Sequence, residues 1–584
     1  MIKRFDSCMA MLWAPFLLFA PALMNAQVNT GHEISLQASE LTNTIIQYNA
    51  DRGSLDRFYM LETSPERTER LKLLDRQYSL RLQQFNFDKL GLDGKVDYVL
   101  FSRNLQNDLR LLEEEAVTAV ASKGYSPFAE EVFRYEKKRR RGAVLPAAEL
   151  AKEMHGWQTE LKQQIKKLET DQQINLVTAY AAQRRVKDVR DALKSIHDFY
   201  YGYDPQFTWW MEAPYKGMDS LLNVYSDSML ARARKNSSSA DDGSGIIGRP
   251  IGAVELKKQL ELEYIPYTAE ELIRIAEQEF AWCDKELLKA TREMGFGTDW
   301  KAAMEKVKNT YVPEGKQPEM ILDLYNQSVD FIKKRDLVTI PPIAEETWRM
   351  NMMSPRQQLV NPFFLGGESI IISYPTNTMA EPDKLMSMRG NNPHFSRATV
   401  HHELIAGHHL QMYQNDRYRA YRNFYTPFWI EGWSLYWEMI LWDMGFPRGP
   451  EDRIGMLFWR MHRCARIIFS LNYHLGKWTP QQCIDFLVDR VGHERANAEG
   501  EVRRSFQGNY GPLYQLAYMI GGLQFYALKK ELVDSGKMSY KQYHDAILQQ
   551  NQMPVEMIRQ ILTNRPPRQN FSTSWRFYPG EIRN

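Results

Sequence analysis

Apolar positions recur at mixed spacings of three and four residues along most of the chain. This is the pattern of helices that bury one face. The stretch from Leu150 to Tyr200 shows it clearly, with Lys, Gln and Glu filling the remaining positions. Thr268 followed three residues later by Glu271 indicates a capping box at the start of another helix. The pattern predicts a mainly α fold, and no internal repeat interrupts it.

One short stretch, from Gly366 to Pro375, departs from the helical pattern. It contains the run Ile-Ile-Ile-Ser-Tyr between glycines and a proline, which is typical of a strand. Two interpretations remain open: a core strand, or an edge to which an extended peptide adds by backbone hydrogen bonds. Because a histidine cluster follows closely in the chain, we expect a small sheet containing Ile370 to Tyr374 beside that cluster.

Composition sets limits on size and partners. A chain of 584 residues, 43% hydrophobic and 25% charged, is an ordinary globular protein too long for one small core. Lys plus Arg number 74 and Asp plus Glu 72, so a net charge of +2 gives no reason to expect nucleic acid as a partner. The basic run at 137–141 is interpreted as a solvated helix end or loop.

The first 26 residues have the pattern of a signal peptide. Lys3 and Arg4 precede an apolar stretch from Met9 to about Ala20, and small residues follow up to Ala26. The apolar stretch is too short for a membrane anchor, and no later segment reaches about eighteen residues without charge. We therefore expect a periplasmic or secreted protein with no stable membrane insertion after cleavage.

Four of the twelve histidines lie within the stretch HHELIAGHHLQ, at 401–411. A zinc-binding helix needs two histidines on one face, but His408 comes six residues after His402, about 240° round an ideal helix. His409 is about 20° off the face of His402 but roughly 10.5 Å further along the axis. A bulge at Ala406-Gly407 would bring His408 into phase, and glycine tolerates such a distortion. The spacing predicts a metal site only if the helix is distorted between Ile405 and His408.

This stretch resembles the motif His-Glu-x-x-Pro-Gly-His-His-Leu-Gln of the bacterial domain of unknown function 885 family. That family is placed among the zincin-like metallopeptidases of the peptidase MA clan, related to the oligopeptidases and angiotensin-converting enzyme. The resemblance implies a large helical zincin-like fold with a small sheet beside the active-site helices, and Zn²⁺ as cofactor. Ala406 stands where the family has Pro, so the distortion depends on Gly407 and on packing.

A second motif begins at Glu431. The sequence EGWSLYWE resembles the family segment Glu-Gly-Trp-Ala-Leu-Tyr-x-Glu, with Ser434 in place of Ala. Glu431 lies in an aromatic, apolar helix, where an unpaired carboxylate would be costly, so it needs a cation. The resemblance implies that it is the third metal ligand, and a buried Arg partner is the other interpretation. Glu438, seven residues on, is a reserve ligand or an outer partner of a ligand.

A third resemblance covers the stretch EGEVRRSFQGNYGPLYQLAYMIGG. In related peptidases a late Tyr donates a hydrogen bond to the oxyanion, and by position Tyr518 is the candidate, with Tyr510 and Tyr514 behind it. Arg503 or Arg504 could hold a substrate carboxylate through two parallel hydrogen bonds. A tyrosine among Leu and Ile is also a common core residue, so both interpretations of Tyr518 stay open.

Together the motifs predict a zinc-dependent metallopeptidase that hydrolyses peptide substrates. Zinc is held by His402, Glu431 and His408, with His409 as the alternative to His408, and Glu403 is the general base for the attacking water. An N-terminal helical region at 27–248 and a catalytic region at 249–584 are expected to form one continuous two-lobed domain. The alternative is a non-catalytic peptide-binding or metal-binding protein on the same scaffold.

Overall fold

Helices dominate the computed structural model, which describes residues 38–236, 241–358, 363–508 and 510–579. The prediction of a mainly α fold is confirmed. The signal peptide predicted at 1–26 lies outside the described residues. The predicted capping box is present: the Thr268 hydroxyl accepts from the backbone N–H of Glu271, whose carboxylate accepts from the N–H of Thr268 at 2.8 Å.

The helices and strands follow one another along the chain. In chain order they are α1 (Thr42–Phe58), α2 (Pro65–Leu82), α3 (Leu92–Ser122), α4 (Ala129–Arg139), α5 (Ala147–Leu168), α6 (Leu176–Tyr200), α7 (Pro205–Asn236), α8 (Gly252–Leu262), α9 (Ala269–Glu293), α10 (Trp300–Lys308), α11 (Gln317–Lys334), α12 (Pro342–Thr347), β1 (Arg349–Met352), α13 (Pro355–Gln358), β2 (Ser369–Ile372), α14 (Glu381–Gly390), α15 (Pro393–Glu403), α16 (His408–Asn415), α17 (Pro427–Asp443), α18 (Pro450–His474), α19 (Pro480–Phe486), α20 (Arg495–Gln507), α21 (Tyr514–Lys529), α22 (Tyr540–Leu548) and α23 (Val555–Leu562).

The predicted strand is confirmed as β2, although it ends at Ile372 and not at Tyr374. It pairs in parallel with β1, from Arg349 opposite Ser369 to Met352 opposite Ile372. On its other side, Ile371 exchanges two backbone hydrogen bonds with Leu365, at 2.7 and 3.0 Å. The sequence did not predict β1, because Arg-Met-Asn-Met lacks the β-branched residues that indicate a strand.

Two buried apolar clusters hold the described part of the chain together. One is built from residues between Leu61 and Ala233, whereas the other combines residues 41–105 with residues 246–577. The described residues from Ser39 onward form a single compact unit. The division at residue 248 stays a prediction, and the second cluster crosses it. None of the described helices is both long and apolar enough to cross a lipid bilayer.

Close backbone contacts between helices position the candidate site. A Cβ on Gly432 in α17 would lie 2.5 Å from the Cα of Gly521 in α21, so only glycine permits this approach. In the same way, a Cβ on Gly455 in α18 would lie 2.2 Å from the carbonyl oxygen of His394 in α15. Helix α17 thus meets α21, and α18 meets α15, at distances that larger residues would prevent.

Candidate metal centre

The helix carrying the histidine motif is interrupted where the spacing requires it. Helix α15 ends at Glu403 and α16 begins at His408, which confirms the predicted distortion. Gly407 makes the interruption possible, because a Cβ there would lie 1.8 Å from the carbonyl oxygen of His402. Its backbone N–H donates to the carbonyl of His401 at 2.9 Å. The break therefore depends on glycine at this position.

Helix α17 stabilises the break by binding backbone oxygens around it. The indole N–H of Trp433 donates to the carbonyl of Ala406 at 2.8 Å, and the Ser434 hydroxyl donates to that of His402 at 3.0 Å. These bonds satisfy buried acceptors in and beside the break. These two hydrogen bonds support the break, since position 406 is Ala and not a helix-breaking Pro.

Gly407→Ala is expected to destabilise the protein by about 1–3 kcal/mol, the usual cost of inserting a methyl group where there is no room. We expect a lower Tm together with weaker metal binding, because the two histidines lose their relative position. Gly156→Ala is the matched control: it lies on an exposed face of α5, and a Cβ there meets nothing within 4 Å. Equal Tm values for Gly407→Ala and wild type, measured by thermal unfolding, would contradict this role of Gly407.

Three lone-pair atoms converge beside the break. The Oε2 atom of Glu431 lies 3.5 Å from Nε2 of His402 and 3.3 Å from Nε2 of His408. It is buried and accepts no hydrogen bond from the described residues, although the Tyr514 hydroxyl donates to the other carboxylate oxygen. Ligands about 2.0–2.2 Å from a tetrahedral zinc lie roughly 3.3–3.6 Å apart, so these residues fit the metal.

Glu403 lies at the edge of the same space. One ligand atom each from His402, Glu403 and His408 lie within 4.8 Å of one another. Glu403 could thus replace Glu431 as a ligand, but Glu431 is favoured because its oxygen is within 3.5 Å of both imidazoles. Gly366 makes room for Glu403, because a Cβ on Gly366 would lie 2.3 Å from Oε2 of Glu403. Sequence reasoning missed this role of Gly366, although the Gly-Gly pair before β2 is a usable signal.

Hydrogen bonds on the far side of each imidazole fix its orientation. Nδ1 of His402 lies 2.6 Å from Oε1 of Glu438, which favours Glu438 as an outer partner of a candidate ligand over its role as a reserve ligand. Nδ1 of His408 lies 3.2 Å from the Ser434 hydroxyl. Because that hydroxyl donates to a carbonyl, it accepts from Nδ1–H of His408. Both contacts leave Nε2 available for a metal.

The other two histidines of the cluster are not at the site. Both ring nitrogens of His409 contact backbone carbonyls, those of Gly367 at 3.1 Å and Ala344 at 2.8 Å. The alternative that places His409 on the metal is therefore not supported by this geometry. His401 is buried against the ring of Phe446, and burial lowers its pKa to about 4.

The comparison with known families agrees with the motifs. The model of the family described as "Bacterial protein of unknown function (DUF885)" matches residues 53–562. The chain belongs to the DUF885 family. No curated protein matches it.

Two solved structures share the fold of this DUF885 chain. A candidate lipoprotein of unknown function from Shewanella oneidensis is 16% identical, with a TM-score of 0.65 over 90% of this chain and 99% of that one. A candidate lipoprotein from Colwellia psychrerythraea is also 16% identical, with a TM-score of 0.54 over 86% and 91% of the two chains. At this identity the likeness shows the fold alone.

Burial and neighbouring charges compete to set the pKa values at the DUF885 site. Burial lowers the pKa of His402, but the carboxylates of Glu431 and Glu438 outweigh it and raise the pKa to about 9. Burial raises the pKa of Glu431, but the imidazoles of His408 and His402 outweigh it and hold the pKa well below its usual range. For Glu403, burial prevails and raises the pKa. Buried carboxylates that attract positive charge in this way suit a divalent cation.

The imidazoles of His402 and His408 line a cavity of about 360 Å³. The ring of Tyr518 lines it and stacks on the imidazole of His402, at 6.0 Å between centroids and 17° between planes. Arg504 also lines it. Arg503 does not: its guanidinium donates to the backbone carbonyls of Ser244 and Gly245, outside the cavity. Of the two arginines proposed from the sequence, the DUF885 fold brings only Arg504 to the site.

Two arginines at the site were not assigned by the motifs: Arg463 and Arg466 line the cavity from α18. Tyr514, the reserve candidate behind Tyr518, donates a hydrogen bond to Glu431. Both arginines lie three residues apart on one face of a helix whose neighbours are apolar, where a charged side chain is costly. Two arginines on one face of an apolar helix are the sequence feature that could have indicated a role for Arg463 and Arg466.

Glu438→Gln is expected to weaken metal binding by about 10–100-fold, the usual loss when the partner of a metal-bound histidine is changed. The amide carries no negative charge to hold Nδ1–H of His402, so the imidazole becomes a poorer ligand. Zinc affinity measured by competition with a chelating dye tests this. An affinity equal to that of the wild type would show that Glu438 does not support the site.

Proposed function

We propose that this protein is a zinc-dependent peptidase that acts outside the cytoplasm. One observation supports the proposal above all others. Oε2 of Glu431 is buried, accepts no hydrogen bond from any described residue, and lies within 3.5 Å of Nε2 of both His402 and His408. Buried carboxylates are paired or bind a metal, so this arrangement calls for a cation. Two imidazoles and one carboxylate form a ligand set typical of catalytic zinc.

The surrounding side chains suit hydrolysis of a peptide bond. When bound, zinc supplies Lewis-acid chemistry and makes a coordinated water more acidic. Glu403 takes the proton of the attacking water and later passes it to the leaving amine, and its raised pKa suits both transfers. Tyr518 lines the cavity beside His402 and would donate a hydrogen bond to the oxygen of the scissile carbonyl.

The location outside the cytoplasm rests on the N-terminal sequence. A charged start, an apolar stretch and small residues indicate cleavage near Ala22 or Ala26. The two related structures, described as candidate lipoproteins, are consistent with an extracytoplasmic place. We expect the mature protein to begin near Leu23 or Gln27. N-terminal sequencing of the exported protein tests this, and a chain that begins at Met1 would contradict it.

Removal and return of the metal test the proposed activity. We expect the purified protein to cleave members of a peptide library, to lose this activity with a chelator and to regain it with zinc. Digests analysed by mass spectrometry identify the bonds that are cut. A protein that binds zinc and peptides but cleaves none would be the non-catalytic alternative. Cleavage that a chelator does not affect would refute the role of the metal.

A further inference from the structure

One wall of the cavity carries more positive than negative charge. Arg463, Arg466 and Arg504 all line it. Glu501 accepts from Arg466 at 2.7 Å and pairs with Arg504 at 2.8 Å. The other carboxylate, that of Glu438, lies 3.7 Å from Arg463 and is also bonded to His402. Three guanidinium groups therefore pair with two carboxylates, and the carboxylates that line the cavity, Glu403 and Glu431, belong to the candidate metal centre.

The two arginines on α18 retain hydrogen-bonding capacity. Arg463 is 4% exposed and Arg466 is 2% exposed. Nε of Arg463 and Nη1 of Arg466 have no hydrogen-bond partner among the described residues. A buried guanidinium N–H without an acceptor is costly, so both side chains suit a ligand that brings acceptor oxygens and negative charge.

These guanidinium groups lie close to the candidate metal ligands. Arg463 and Arg466 lie 4.4 and 4.5 Å from the centroid of the Tyr518 ring. The same ring stacks on the imidazole of His402, with the centroids 6.0 Å apart. Both arginines and a candidate metal ligand thus contact the same aromatic ring.

We propose that Arg463 and Arg466 form a subsite that binds the free α-carboxylate at the C-terminus of a peptide. This rests on the proposed peptidase function and adds the substrate class: the enzyme removes one or two residues from the C-terminal end or cleaves very short peptides. Guanidinium groups are suited to this role because their parallel N–H donors match the two carboxylate oxygens.

The dimensions of the cavity agree with a short product. An extended chain advances about 3.3–3.6 Å per residue, so a carboxylate held by arginines that contact the same ring as His402 places the cleaved bond one or two residues from the end. The volume of about 360 Å³ is near the small limit of ligand pockets, which hold about 300–1,000 Å³. The proposed subsite and this volume both favour trimming at a terminus.

The substrate comparison uses the zinc-loaded protein and three hexapeptides. One has neutral side chains and a free C-terminal carboxylate, the second is its C-terminal amide, and the third is an amide with Glu as the last residue. A charge-assisted hydrogen bond contributes about 1.5–3 kcal/mol, so we expect kcat/KM for the acid to exceed that for the neutral amide by about 10–100-fold. Better cleavage of the Glu-containing amide than of the acid would assign the subsite to a side chain instead.

Variants connect this preference to the arginines. Arg463→Gln and Arg466→Gln are expected to raise KM for the acid and to bring its kcat/KM close to that of the amide. Arg495→Gln is the matched control, because Arg495 is on α20, is half exposed and pairs with Asp485 away from the cavity. A variant that lowers kcat for acid and amide by the same factor would show a role other than carboxylate binding.

A binding experiment separates this proposal from the proposed activity. Calorimetric titration with alanyl-phenylalanine and with its amide requires no turnover. We expect the dipeptide to bind at least about ten times more tightly than its amide, and Arg466→Gln to remove the difference. If no peptide is cleaved but this difference is found, the peptidase proposal fails and the carboxylate subsite stands. Equal binding of acid and amide by the wild type would overturn the subsite.

Discussion

Glu403→Gln is expected to retain zinc and to lower peptide turnover by about 10²–10⁴-fold, the usual effect of losing a general base. The amide has the shape of the carboxylate but accepts no proton from water. The ligand atoms of His402, Glu403 and His408 lie within 4.8 Å of one another, whereas Oε2 of Glu431 lies within 3.5 Å of both imidazoles. Removing the charge of Glu403 therefore leaves the three candidate ligands, His402, His408 and Glu431, in place.

Zinc content by elemental analysis and turnover of one peptide should be measured on the same preparation of Glu403→Gln. Glu499→Gln is the matched control, since Glu499 lies on the surface of α20 and is half exposed. Full activity in Glu403→Gln would exclude Glu403 as the base. Loss of zinc from this variant would show that Glu403 is a ligand.

Glu431→Gln is expected to weaken zinc binding and activity together. Glu431 supplies the negative charge of the ligand set, and a neutral amide oxygen is a poorer zinc ligand. We expect a loss of affinity beyond the 10–100-fold typical of an outer partner such as Glu438. Zinc content and turnover, measured beside Glu403→Gln, distinguish ligand from base.

The opposite pair of results would reverse these roles. If Glu403→Gln emptied the site while Glu431→Gln remained loaded and active, the assignment of base and ligand would be wrong. Glu438 would then be the next carboxylate to test. Its contact of 2.6 Å with Nδ1 of His402 predicts that it acts through the imidazole and not on the metal.

The sequence predicted the parts of the site that depend on helical geometry. The six-residue interval puts His402 and His408 on different faces of a straight helix, so a metal site that uses both requires a break near Gly407. The structure confirms this break. The need of Glu431 for a cation followed from its apolar neighbours, and the structure gives it two imidazoles and a tyrosine hydroxyl.

What the sequence did not predict depends on contacts between distant segments. The bonds of Trp433 and Ser434 to the broken helix require the packing of α17 on α15 and α16. The choice between Arg503 and Arg504 depends on the rotation of α20, which adjacent positions do not reveal. Strand β1 forms because β2 lies beside it, and its own residues do not favour a strand.

A crystal structure of the zinc-loaded protein, with anomalous scattering measured on both sides of the zinc edge, tests the central claim most directly. We predict one strong anomalous peak at about 2.0–2.2 Å from Nε2 of His402, Nε2 of His408 and Oε2 of Glu431. The peak should disappear below the edge. A loaded crystal with no peak between these three atoms, or with its zinc bound elsewhere, would contradict the metal centre and the peptidase built on it.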